Sequence, residues 1–302
     1  MATDVSVKGS RLIWIALAIL VGTASAGCEQ VQARRHIQEG NKLYYAGEYE
    51  KAVAEYDQAL ATRPDLTIGW YNKGLTHLAL FAPGAKTAEN DAQAQGAIKA
   101  FNEYLKVQPK DEKARDYLLS TYIDSGHYEG ALAYFEEKLK ADPKDVLAIA
   151  QLAQINAGAG KFEEANKWHH KRAEIETSTD GKADALYSIG VLSWRRLNNK
   201  FDVTGTERAK IADEGIGALE EALSIRKDHQ AQLTYHNLLY RERALAHEAS
   251  WARAADIATA QISFKKAMDV AKAQQAAVKP TTPGATPGAT PGKTPAPNKD
   301  GK

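Results

Sequence analysis

The chain has 302 residues, 44% hydrophobic and 25% charged, with a formal net charge of +1 at pH 7. That balance, with no basic stripe, argues against a nucleic-acid partner, and a single cysteine excludes an intrachain disulfide. The length leaves room for an enzyme, so catalysis has to be judged from motifs.

The chain opens with a short basic region, Lys8 and Arg11, followed by ten consecutive apolar residues, "LIWIALAILV" at 12–21. Ten residues are too few to span a bilayer as a finished helix but suit the apolar region of a secretory signal. In the following "GTASAGCEQ", Ala26-Gly27-Cys28 resembles the last three positions of a bacterial lipoprotein cleavage box, with Ser25 where that family usually has an aliphatic residue. The resemblance implies a signal peptide at 1–27, acylation of Cys28 and a lipidated linker at 28–32. More than one acyl chain on that cysteine makes a stable anchor. Glu29, where an aspartate would imply inner-membrane retention, implies the outer membrane, facing the periplasm. An ordinary signal peptide and an uncleaved, cytoplasm-facing signal anchor remain open.

From Ala33 onward the chain is phased. Pro109 to Pro143 is 34 residues, and Pro64 to Pro109 is 45, which is 34 plus an insertion of 11. Gly47, Gly126 and Gly160 each precede "EY", "HY" or "KF". Ala52, Ala131 and Ala165 follow those glycines by five residues, and Ala97 takes the same place beyond the insertion. A 34-residue period of helix, turn and helix is the tetratricopeptide spacing. The chain resembles a tetratricopeptide-repeat (TPR) protein over roughly 33–176, more weakly to about 273. That resemblance implies an all-α, right-handed superhelix, a solenoid of about six helix pairs. Its units lie near 33–66, 67–111 with an insertion, 112–145, 146–179, 182–229 with a second insertion, and 230–273. Gly40, Gly74 and the phased alanines are expected where the helices of a pair cross closely. The prolines should stop each second helix, and the Asp ending "VQPKD" (107–111) and "ADPKD" (141–145) should cap the next one. The insertions at 81–96 and 198–210 read as loops or helix extensions, and are the places with spare chain to build a pocket.

The C-terminal 274–302 carries six of the ten prolines in a "TPGA" repetition without aromatics, and is expected to be disordered. No motif for chemistry emerges: there is no glycine-rich phosphate loop, no G-x-S-x-G elbow and no H-E-x-x-H. His169-His170 is a poor metal pair, because adjacent helical residues point about 100° apart. No cofactor, metal or catalytic residue is expected.

Function in this family lies in the concave groove lined by the first helix of each unit. Carried over by position, the partner-binding candidates are Asn41, Tyr44 and Tyr45; Tyr71, Leu75 and Leu78; Asp116 and Asp124; Tyr187, Trp194 and Arg195; and Arg241. Asn41 matches a position used to clamp a peptide carboxylate, but the usual basic partners are missing, since Ile37 and Tyr71 stand where lysine or asparagine would help. The expectation is a non-catalytic, lipid-anchored scaffold that binds a protein or peptide segment of another envelope protein. An accessory subunit or enzyme acting on wall glycan or a small ligand is the alternative.

Overall fold

The computed structural model describes residues 28–198 and 203–277, and every regular element among them is an α-helix. The expected signal peptide and most of the expected tail therefore lie outside the described residues. The helices divide into two compact units that part at His127/Tyr128. The first holds α1 (28–45), α2 (Tyr49–Thr62), α3 (Thr67–Leu80), α4 (Ala88–Val107) and α5 (Glu112–Ser125). The second holds α6 (Tyr128–Ala141), α7 (Val146–Gly158), α8 (Phe162–Ile175), α9 (Thr179–Asn198), α10 (Gly205–Ile225), α11 (Gln230–Ala244) and α12 (Ser250–Ala277). Within each unit helices pack on their neighbours in the chain, as in α2 on α3, α7 on α8 and α11 on α12.

The local signals act as the sequence predicts. Helices α2, α4 and α6 end at Thr62, Val107 and Ala141, two residues before Pro64, Pro109 and Pro143. Asp111 and Asp145 then cap the next helices, accepting from the backbone N–H groups of Ala114 (3.0 Å) and Ala148 (2.9 Å). Such caps contribute about 1 kcal/mol each. The turn after α5 needs a left-handed residue, supplied by Gly126 at φ 82°; Gly47 and Gly160 repeat it at 78° and 74°. The close crossings fall at the expected small residues. A Cβ on Gly40 would lie 2.6 Å from the Tyr56 ring, and one on Gly74 would lie 2.9 Å from Phe101. Tyr56 and Phe101 are fully buried in one cluster with Ala52, Ala97 and Leu75.

Residues 28–32 are helical and form the start of α1, where a linker was expected. "CEQVQ" contains no glycine or proline, and Glu and Gln propagate a helix well. Helix α12 likewise runs to Ala277, four residues beyond the expected end of the solenoid.

The described residues of both insertions mainly lengthen helices. In the first, α4 gains turns at its start and leaves a short loop at 81–87. Buried Asn90 ties that loop down: its Oδ1 accepts from Ala82 N–H (2.7 Å), and its Nδ2 donates to the Ala82 (2.9 Å) and Ala85 (2.8 Å) carbonyls. Asn90→Ala is expected to cost about 2 kcal/mol locally, read as faster proteolysis within 81–87 while cleavage elsewhere is unchanged. In the second, α9 and α10 reach 20 and 21 residues. There Arg208, buried, donates from Nε to the Val203 carbonyl (2.8 Å) and pairs with Glu242.

Candidate interaction faces

In the first unit the repeat spacing gathers tyrosines around one buried ring. Phe101 on α4 meets Tyr71 on α3 edge-on at 6.2 Å and Tyr117 on α5 at 5.7 Å, while Tyr104 lies 5.0 Å from Tyr71. All three tyrosines are half-buried. The Tyr104 hydroxyl donates to the Asp111 carboxylate (2.7 Å), which joins this ring to the cap of α5. Burial, with Tyr117 and Asp111 adding to it, pushes the Tyr71 phenol up to about 12. Asp116 and Asp124 are exposed on α5 and give this end an acidic flank.

Three candidates of this unit have other duties. Tyr44 and Leu75 are 6% and 1% exposed and belong to the core. Stacking of the following helices covers inward positions that a single unit would leave open, so these two are withdrawn from solvent. Asn41 ties three helices together, because its Oδ1 accepts from the Tyr56 hydroxyl (2.7 Å) and from Asn72 Nδ2 (2.8 Å). Leu78 is half-buried against the same core, whereas Tyr45 is 50% exposed beside the Tyr44 ring at 5.9 Å.

The second unit builds a separate aromatic face. Tyr187 and Trp194 are seven residues apart on α9 and so share one side of it. Tyr235 of α11 lies against both, at 5.7 Å from Tyr187 and 5.5 Å from Trp194, each contact edge-on. The His229 ring adds a contact to Tyr187 at 5.9 Å. These rings are half-buried, and burial raises the Tyr187 phenol. Arg195 is exposed one position, about 100°, around the helix from Trp194. Arg241 is also exposed but donates to Asn237 Oδ1 of its own helix at 2.9 Å.

Sequence reasoning missed Tyr104, Tyr117 and Tyr235. Tyr117 stands one residue after the position taken as inward in its unit, a shift that turns the side chain by a third of a helical turn. The signal that could have found them is recurrence of tyrosine near the middle of successive helices. His169 and His170 diverge as expected. His169 is buried, while exposed His170 reaches Glu214 Oε1 at 3.1 Å. Among the described residues no group of His, Cys, Asp and Glu is placed to hold a metal ion, and no helix is long and apolar enough to cross a membrane. Cys28 is exposed with a free thiol.

A family model described as a TPR repeat matches residues 40–80, and one described as a tetratricopeptide repeat matches 122–168. No curated protein matches. Among solved structures, the crystal structure of MamA protein is 19% identical over 72% of this chain and 98% of its own, with a TM-score of 0.45. YrrB, described as a TPR protein with an unusual peptide-binding site, is 20% identical over 70% of this chain and 95% of its own, with a TM-score of 0.38. A TPR repeats protein from Bacteroides fragilis is 21% identical over 68% of this chain and 97% of its own, at 0.39. At these scores none of them bears on what this chain binds. The two matched repeats, together with the phased glycines, caps and proline stops of described residues that are helical in every regular element, support a tetratricopeptide-repeat protein, a fold that suggests a protein-interaction scaffold.

Proposed function

We propose that this protein is a non-catalytic, lipid-anchored scaffold of the bacterial cell envelope that docks extended or helical segments of partner proteins on its aromatic faces. The observation that carries the docking reading is the arrangement of half-buried rings, Tyr71-Tyr104-Tyr117 in one unit and Tyr187-Tyr235-Trp194 in the other. Rings already held by neighbouring rings lose little freedom on binding, and aromatic residues with arginine dominate interface energies. The flanking charges divide the work. Asp116 and Asp124 favour a basic segment on the first face, and Arg195 and Arg241 an acidic one on the second. Family members of this kind are generally non-catalytic.

Anchoring is supported by the apolar stretch at 12–21 and by Cys28, the only cysteine, which is exposed at the end of the described chain. Intact-mass measurement of the protein from membranes is expected to show a chain that begins at a triacylated Cys28. An intact Met1 would replace this reading with the cytoplasm-facing anchor. For docking, capture from detergent-solubilised membranes is expected to lose its specific partner with Tyr71→Ala or Trp194→Ala, each by about tenfold or more. Retention of every captured protein by both variants would remove the faces as docking sites.

A further inference from the structure

A cavity of about 380 Å³ lies between α8, the end of α9 and the start of α10, apart from the aromatic rings described above. Phe162, Leu192 and Ile211 give it apolar lining, and its other lining residues are polar or charged. Two side chains there are almost wholly enclosed, Ser193 at 1% exposure and Asn166 at 7%. The Ser193 hydroxyl and Asn166 Oδ1 are both buried without a hydrogen-bond partner, and so is Nη1 of Arg196. Ser193 and Arg196 are three residues apart on α9, so they present from one side of the helix, and Asn166 presents from α8. Leaving such groups unpaired costs about 1–3 kcal/mol each, more for a charged one. The three residues that carry them all line this one cavity.

We propose that this cavity binds a small organic acid whose carboxylate is flanked by a hydroxyl or ammonium group. The Arg196 guanidinium is a planar donor suited to a carboxylate, and the Ser193 hydroxyl supplies a second donor. Asn166 Oδ1 accepts, which calls for a donor on the ligand beside its carboxylate. Lys167 and Lys210 line the cavity and favour an anion, while Glu163, also lining it, favours a ligand with a positive or hydrogen-donating group of its own; Glu214 and His170 line it too and meet each other at 3.1 Å. A volume near the low end of small-molecule sites suits a compact ligand rather than a folded segment. Part of this site was built by the second insertion, which carries Lys210 and lengthens α9 and α10.

The test is calorimetric titration of the full chain in detergent with L-lactate, L-serine and L-glutamate, with acetate and inorganic phosphate as comparisons. At least one of the first three is expected to bind saturably with a Kd of about 1 mM or tighter. Arg196→Gln should weaken it by about tenfold or more and Ser193→Ala by several-fold, with exposed Lys140→Gln without effect. If Arg196→Gln does not fold, Arg196→Lys is expected to retain the charge but lose affinity with the planar fork. Absence of binding by all three acids, equal binding by the Arg196 variants, or tighter binding of phosphate than of any carboxylate would each overturn the proposal. A negative result here leaves partner docking intact, because that is read with Tyr71 and Trp194.

Discussion

Phe101→Ala is expected to destabilise the first unit by about 3–5 kcal/mol, the usual cost of deleting a buried phenylalanine. The ring is fully buried and contacts Tyr71 and Tyr117, and its face fills the space that Gly74 leaves by lacking a side chain. It therefore holds α3, α4 and α5 at once, and its removal opens a cavity that no single neighbour can close. Helix pairs in such stacks are coupled chiefly to their neighbours. Hydrogen exchange should accordingly show the largest loss of protection in α3–α5 and little in α9–α12. Phe101→Leu, which fills most of the volume, should cost about 1 kcal/mol. Unchanged exchange in α3–α5 would mean that Phe101 is not the seam of that stack.

Acidification is expected to destabilise the second unit through His169. This residue is buried, its Nδ1 has no hydrogen-bond partner, and burial, with Arg172 and His170 adding to it, lowers its pKa from 6.5 to about 4. The fold thus holds the imidazole neutral, and the unfolded chain binds the extra proton between about pH 6.5 and 4. Stability from this group is full above pH 6.5 and falls as the pH drops towards 4, by about 3 kcal/mol in total. His236 in the same unit is lowered by burial too, and steepens the loss in the same direction. Urea unfolding at pH 7 and pH 4.5, followed by hydrogen exchange in α8, should show a smaller pH effect in His169→Leu than in the parent. Equal pH dependence in the two proteins would remove His169 as the cause.

The parts of the fold that were legible in the sequence are those set by local chemistry. Pro64, Pro109 and Pro143 cannot continue a helix, Asp111 and Asp145 supply the acceptor that its first turn needs, and Gly126 takes a backbone angle that other residues resist. Each effect acts within a few residues of its cause, so spacing alone exposes it. The interaction faces depended on stacking, which spacing does not show. Tyr44 and Leu75 occupy inward positions yet are covered by neighbouring helices, and Asn41 is engaged by Tyr56 and Asn72. Tyr235 draws Tyr187 and Trp194 into one face from a different helix, 41 residues beyond Trp194 in the chain. The second insertion was recognised as spare chain, but Ser193 and Asn166 lie outside it and were indistinguishable from ordinary helical polar residues.

Photo-crosslinking in intact cells reads out whether the aromatic faces receive partner proteins. A photoreactive phenylalanine analogue would be placed in turn at Tyr71, Trp194 and Glu136, the last an exposed position on α6. Discrete adducts with a protein partner are expected from positions 71 and 194 and none from 136. Adducts from 136 alone, or the same adducts from all three positions, would contradict docking on these faces.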